Sequence, residues 1–513
     1  MSDKEYARNI KQVCELLQSE PTPDVIQRLR DAFDNLSKQL RTGPFLEVFE
    51  ATISNIPFSA LFSLLTAPDN RLIVTVAEVT AQLLRPLNWT MVHETFEEYI
   101  IQGLDHPHPV VKSLVLNQFL KCEQKTDPFS SKYGPHIWQC LEGKGDSDTT
   151  KLAKKVLEHL CAIDMCLDYL LSEKSMQTIK TLLSGDESQR FRVYDVVVAA
   201  IKQSDSVFEF FRQEGVVDLL LKEAETNDVL VAMNFYELIP ALCTSSVPFD
   251  YLDTAGVFDK ALAQIRSAKI EETATSSLTR MSALKLFVRT ANAGGISPAK
   301  FLEKYAIVPE LTELMLLPDP RSDIKTTAIA CLGTIGSSSE ALEYLGSEKA
   351  ALEALVSVYN SSLADLRIEC LRTISCIFGY SATPSGTASQ ICYELYTKLD
   401  NGKFLVGLTK EIMKGFEESC IAGFSVIQKM ALHAWGVHEI ASYQNIVNFL
   451  LMRDPSRVKT AQQWQFAVIE SIVNSPDAKK EFDGETLAQL SRYAREGPYY
   501  IGSAPRVALQ GST

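Results

Sequence analysis

Two adjoining stretches decide how this chain folds: RFRVYDVVVAAI at Arg190–Ile201, and EGVVDLLLKEAETNDVLVAMNFYELIPAL at Glu214–Leu242. In the second, Asp228 opens an apolar run. Val231, Phe235, Leu238 and Leu242 fall on one helical face, while Asn234, Glu237 and Ala241 fall on another. An acid in this position can accept from the free N–H groups of the first turn, and its charge suits the positive helix end. The same unit, a loop acid and then an apolar helix, starts at Asp69, Asp105, Asp146, Asp186, Asp228, Asp319, Asp365 and Asp454. The steps are 36, 41, 40, 42, 91, 46 and 89 residues. Each of the two long steps is close to two periods, and degenerate copies fill them at Ser276–Thr290 and Ser419–Gly436. A period of about 40–47 residues built from helices alone is that of HEAT or armadillo repeats.

An isolated helix pair cannot bury its apolar stripe, so stacking on neighbours must complete the core. The expected fold is therefore all-α, a right-handed α-solenoid of HEAT/armadillo-like repeats. At about 150 residues per domain, 513 residues alone imply three or four domains. The repeat spacing replaces them with one long array. Residues 1–53 form an N-terminal helical cap of two amphipathic helices, near Asp3–Ser19 and Pro23–Leu40. About ten repeats occupy residues 54–480, and residues 481–501 supply a closing helix (Asp483–Ala494) and an E-G-P-Y-Y segment. Residues 502–513 are small and polar, which predicts a disordered tail. Pro107, Pro109, Pro318 and Pro320 stand where they end one helix or open the next.

Composition excludes several classes. Gly and Pro number 24 and 21, too few for a turn-dense β or collagen-like chain. Lys and Arg number 50 against 64 Asp and Glu, a formal charge of −14, which disfavours a phosphate-gripping nucleic-acid surface. No secretory h-region precedes the first repeats. The charge-free stretch Thr373–Tyr393 contains Pro384 and many hydroxyls, so no membrane span is expected. Eleven cysteines, an odd number set in apolar helical patterns, fit buried thiols in a reducing compartment: the cytoplasm, and the nucleus as well.

A search for chemistry yields no catalytic residue, cofactor or metal set. AGGISP at Ala293–Pro298 lacks the Lys of a phosphate loop, and Gly333 and Gly336 fit helix packing and termination. His159, Cys161 and Cys166 cluster without metal-ligand spacing, and Cys370 and Cys376 read as core. His106 and His108 read as exposed loop residues, and His433 and His438 do not share a helix face. What remains is surface, the extended concave face that second helices make in such arrays. Its candidate contact residues are Arg192 and Asp195, Asn234 and Glu237, Lys285 and Arg289, and Arg367 and Arg372. Arginine carries more interface energy than Lys or Glu, which favours Arg192, Arg367 and Arg372. A generic adaptor binding a peptide or helical domain on that face is the alternative function. It lacks support from the four tryptophans, which do not recur at the repeat spacing.

Several patches resemble the 26S proteasome non-ATPase regulatory subunit 5 family. RFRVYDVVVAAI matches its R-[YF]-R-V-Y-[DE] helix, and the G-V-V and D-V-L-V helices follow in the same order. HPHPVVKSLVLNQF (His106–Phe119), LRIECLRTISCIF (Leu366–Phe378) and LAQLSRYAREGPYYI (Leu487–Ile501) resemble further family segments. The first fifty residues and Ser381–Glu418 lie outside the matching patches. The resemblance implies a non-catalytic assembly chaperone of the proteasome regulatory particle. Such a protein binds the C-terminal helical domain of one base ATPase subunit and is absent from the finished particle. It also implies a monomer when alone, with neither nucleic acid nor membrane as partner.

Overall fold

The computed structural model describes all residues except 1–2, 20–21, 43–44, 57, 124–131, 143–146, 227, 268–273, 320–321, 362–363 and 501–513. Asp146, Pro320 and the tail from Gly502 thus lie outside the described residues. Where a loop acid directly precedes its apolar run, it caps the helix. Asp69 accepts from the amides of Arg71 and Leu72 ahead of Asn70–Leu84. Asp186 accepts from Gln189 at 2.8 Å, and Asp228 from Leu230 and Val231. Elsewhere the acid does other work. Asp105 closes Trp89–Leu104, and His108 caps Pro109–Phe119 by accepting from the Val110 amide at 3.3 Å. His106 accepts from the His108 amide at 3.0 Å, so neither imidazole is the loosely exposed loop residue that the sequence predicts. Asp365 already sits inside the first turn of Ala364–Phe378, and Asp454 folds a turn with Ser456 ahead of Lys459–Asn474.

The repeats carry a third helix that the apolar pattern does not reveal. Ser246–Thr254, Val257–Ser267 and Ala274–Ala291 are followed by Pro298–Tyr305, Ile307–Met315 and Asp323–Ile335, then by Ser339–Glu348, Ala350–Ser361 and Ala364–Phe378. A left-handed residue separates the first helix from the second each time: Gly256 (φ 73°), Ala306 (φ 47°) and Lys349 (φ 55°). A right-handed helix cannot run through such a residue. Three helices per repeat is the armadillo arrangement.

By packing, the chain divides into two compact units, Met1–Lys222 and Glu223–Thr513. In the first, Pro23–Thr42, Asn70–Leu84, Pro109–Phe119, Ser147–Leu160 and Glu187–Ile201 stack each on the next. In the second, Val229–Leu242, Ala274–Ala291, Asp323–Ile335, Ala364–Phe378, Glu417–Met430, Lys459–Asn474 and Gly484–Glu496 do the same. These row helices include every described copy of the repeated unit, and the degenerate copy at Ser276–Thr290 lies within one of them. The copy at Ser419–Gly436 overruns its helix, which stops at Met430. Among the described residues, no strand occurs, and no helix is long and apolar enough to cross a membrane.

Row helices bury more than the predicted stripe because neighbours press on several sides. In Val229–Leu242, Tyr236 and Ile239 are buried along with Val231, Phe235, Leu238 and Leu242, leaving Asn234 and Glu237 exposed. Between Asp323–Ile335 and Ala364–Phe378 the backbones come close: a Cβ on Gly333 would lie 3.0 Å from Thr373 Cα, and Thr373 Oγ1 donates to Ile329 O at 2.9 Å. The second unit also holds an aromatic cluster of Phe249, Phe258, Phe287, Phe301 and Tyr305. Its ring centroids include pairs at 5.1, 5.2 and 5.5 Å, within the favourable range for such pairs.

Candidate interaction surface

The residues that resemble reactive or ligating groups are held for packing. His159 Nε2 lies 3.0 Å from Cys122 O, and Cys161 Sγ donates to Val196 O. Burial pushes the Cys161 and Cys166 thiols up to about 12, far from a reactive thiolate. Among the described residues no group of three His, Cys, Asp or Glu side chains is arranged to hold a metal. Gly295 serves a close approach, since its amide donates to Cys243 O at 2.9 Å and a Cβ there would strike Ser245 O at 2.4 Å. Cys370 is buried, but Cys376 is exposed, contrary to the sequence expectation. Six residues separate them, roughly 240° around the helix, so they cannot share one face. His433 is buried, with Nε2 2.8 Å from Phe378 O and Nδ1 2.9 Å from Ser389 Oγ, and burial holds it below the usual imidazole value. His438 pairs instead with Glu481 at 2.7 Å.

All eight candidate contact residues lie on row helices: Arg192 and Asp195 in the first unit, the rest in the second. They differ in what already engages them. Asp195 accepts from Lys154 on the neighbouring row helix at 2.6 Å. Burial alone would lower the Lys154 ammonium, but Asp195 and Glu158 hold it above its ordinary value. Glu237 pairs with Arg289 across the next pair of row helices. Arg372 bonds Glu369 at 3.1 Å and reaches Glu418 at 3.9 Å. Lys285 is exposed and makes no hydrogen bond or ion pair among the described residues. Arg192 is half-buried, and its Nε has no hydrogen-bond partner.

Arg367 is set apart from this group. Its guanidinium donates to both Asp400 oxygens at 2.7 and 2.9 Å and to Tyr359 Oη at 3.1 Å, and it lies 4.5 Å from the Tyr359 ring. Asp400 itself has a left-handed backbone (φ 46°), and its amide donates to Asn360. Arg367 therefore fastens a strained turn to the repeat before it.

Seen together, neighbouring row helices are laced by polar side chains. Arg41 meets Glu78 at 3.0 Å, Lys154 meets Asp195, Arg289 meets Glu237, Ser375 meets Ser425 at 2.6 Å and Gln428 meets Ser471 at 2.9 Å. Lys154, Glu418, Ser425, Gln428 and Ser471 are members that sequence reasoning missed. One signal was present: Asp195 and Glu237 each stand nine residues past a loop acid, Asp186 and Asp228. The exposed ion pairs among these, Arg41–Glu78 and Arg289–Glu237, contribute about 0–1 kcal/mol each, so a partner can exchange them at small cost.

Comparison with known proteins extends over nearly the whole chain. The 26S proteasome non-ATPase regulatory subunit 5 of Bos taurus is 23% identical over 493 residues, covering 93% of this chain and 95% of that protein. Its counterpart from Homo sapiens is 23% identical over 469 residues, covering 88% and 90%. Among solved structures, yeast importin-beta (Kap95p) is similar with a TM-score of 0.56 at 11% identity, covering 92% of this chain and 64% of that one. Kap121p bound to Nup53p is similar with a TM-score of 0.59 at 11% identity, covering 97% and 55%. At that identity the likeness shows the fold alone, a HEAT-like helical-repeat solenoid. The family model described as proteasome non-ATPase 26S subunit matches residues 11–512, including the second N-terminal helix and Ser381–Glu418, and the protein belongs to that family.

Proposed function

We propose that this protein is a non-catalytic assembly chaperone of the proteasome regulatory-particle base. In this role it holds the C-terminal helical domain of one base ATPase subunit and leaves before the particle is complete. The observation that carries this reading is the family match over residues 11–512, together with relatives named as proteasome regulatory subunits. Two features of the molecule agree with it. Row helices offer exposed charges in weak, exchangeable pairs, suited to a partner that must later be released. The cysteines, as potential nucleophiles, are mostly buried, with thiols such as Cys331 pushed up to about 12. The protein acts as a monomer, without cofactor, in the reducing cytoplasm and nucleus. Likeness to the karyopherins concerns fold, and no observation favours a general adaptor over the chaperone.

The test mixes the purified full chain with the C-terminal domain of each base ATPase in turn. Selective binding of one domain is expected, and failure with every domain contradicts the reading. Charge reversal at Lys285, which makes no ion pair among the described residues, is expected to weaken that binding about tenfold or more without lowering the melting temperature.

A further inference from the structure

The E-G-P-Y-Y segment has no role in the surface described above, yet it helps to build a groove. Helix Gly484–Glu496 stops at Gly497, whose φ of 84° turns the chain. Arg453, in the loop between Gln444–Leu451 and Lys459–Asn474, then fixes the turned segment. Its guanidinium donates to Gly497 O at 2.8 Å and to the Glu496 carboxylate at 3.0 Å, and it lies 3.7 Å from the Tyr493 ring centroid and 5.3 Å from that of Tyr500. Tyr499 and Tyr500 thereby join Val458 and Lys459 in lining an open groove of about 890 Å³. That volume lies in the usual range of ligand sites, about 300–1,000 Å³.

Two independent features mark this groove as more than a capped end. Its apolar lining is turned to solvent: Val458, Tyr499 and Tyr500 are 44%, 47% and 43% exposed. Exposed apolar residues gathered in one place mark interaction sites. Its charge also opposes that of the molecule. In a chain of net charge −14, Arg453, Arg457 and Lys459 line the groove; Arg453 pairs with Glu496 and Arg457 with Asp454 at 3.8 Å, so Lys459 supplies the unmatched positive charge. Arg457 lies 4.4 Å from the Phe449 ring and bonds Gln465, so it fixes the wall. Asp454 accepts from the Ser456 amide and hydroxyl at 2.9 and 2.6 Å, and those bonds hold its carboxyl below the ordinary range. Lys459 is exposed and makes no hydrogen bond or ion pair among the described residues.

We infer that this groove binds an extended peptide segment of a partner protein that carries acidic and apolar side chains. The acids pair with Lys459, and the apolar side chains lie on Tyr499, Tyr500 and Val458. This site is separate from the eight row-helix candidates and stands whether or not an ATPase domain binds them.

The test immobilises the full chain and exposes it to pooled decapeptides built from Glu, Asp, Phe, Leu, Gly and Pro. A matched pool replaces the acids by Lys and Arg, and retention is read by mass spectrometry. The acidic pool is expected to be retained about tenfold over the basic one. Lys459→Glu and Tyr499→Ala should each lower that retention about fivefold or more at an unchanged melting temperature, while Lys285→Glu should leave it intact. Equal retention of both pools, or retention of neither, overturns the proposal. So does retention governed by deleting residues 501–513 rather than by peptide charge, which would make the chain's own segment the occupant.

Discussion

Arg367 and Lys285 show how similar residues on one row take different roles. Arg367 is closed in by Asp400 and Tyr359, while Lys285 stands exposed without a partner among the described residues. Removing the guanidinium leaves the half-buried Asp400 carboxylate without its cation and with only a long 3.4 Å bond from Tyr359 Oη, a loss of about 1–3 kcal/mol. Arg367→Ala should therefore lower the thermal midpoint, and Lys285→Ala should leave it unmoved; equal midpoints for the two variants contradict this account. His433 gives a second residue-scale expectation. Burial holds its folded-state value below the unfolded value of about 6.5. As pH falls through 6.5, the unfolded chain takes up a proton that the folded one refuses, so this contribution is complete above 6.5 and lost on acidification. Melting temperatures at pH 7.5 and 5.5 should diverge less in His433→Gln than in the parent. His106, also lowered by burial, accounts for part of the remaining slope. None of this could be read in advance, because Lys154 and Asp195 are 41 residues apart and Arg289 and Glu237 are 52. The sequence marks a polar face but not which partner each charge finds.

Among elements, the row helices were readable and the short ones were not. A loop acid followed by an apolar period of 3.6 announces helices such as Asn70–Leu84 and Val229–Leu242, and packing needs nothing more. The break between Pro298–Tyr305 and Ile307–Met315 falls at Ala306, a good helix former that stands exposed at φ 47° between the buried Tyr305 and Ile307. Where glycine makes the break, as at Gly256, a mark exists; at Ala306 and Lys349 there is none. Alanine in that region costs about 1–2 kcal/mol, part of which glycine returns as backbone entropy. Ala306→Gly should accordingly raise stability in denaturant by up to about 1 kcal/mol, and a loss of stability would mean the turn is not strained. Gly333→Val tests the opposite case. Its Cβ has no room beside Thr373, so a cost of about 1–3 kcal/mol is expected from the same unfolding curves.

At the scale of the molecule, composition excluded classes of function and the repeat period named the architecture, but neither named a task. Stacked helices serve many partners, and only the ordered family segments, later extended by the match over residues 11–512, pointed to the proteasome. The central claim is that exposed polar residues of the row helices hold an ATPase C-terminal domain. Amide hydrogen exchange of the full chain, alone and with the one domain it selects, tests this most directly. Protection is predicted in peptides spanning Asn234–Glu237, Lys285–Arg289 and Arg372, all on row helices of the second unit. Protection confined to the short helices, such as Ser246–Thr254 and Pro298–Tyr305, with the row helices unchanged, would contradict it.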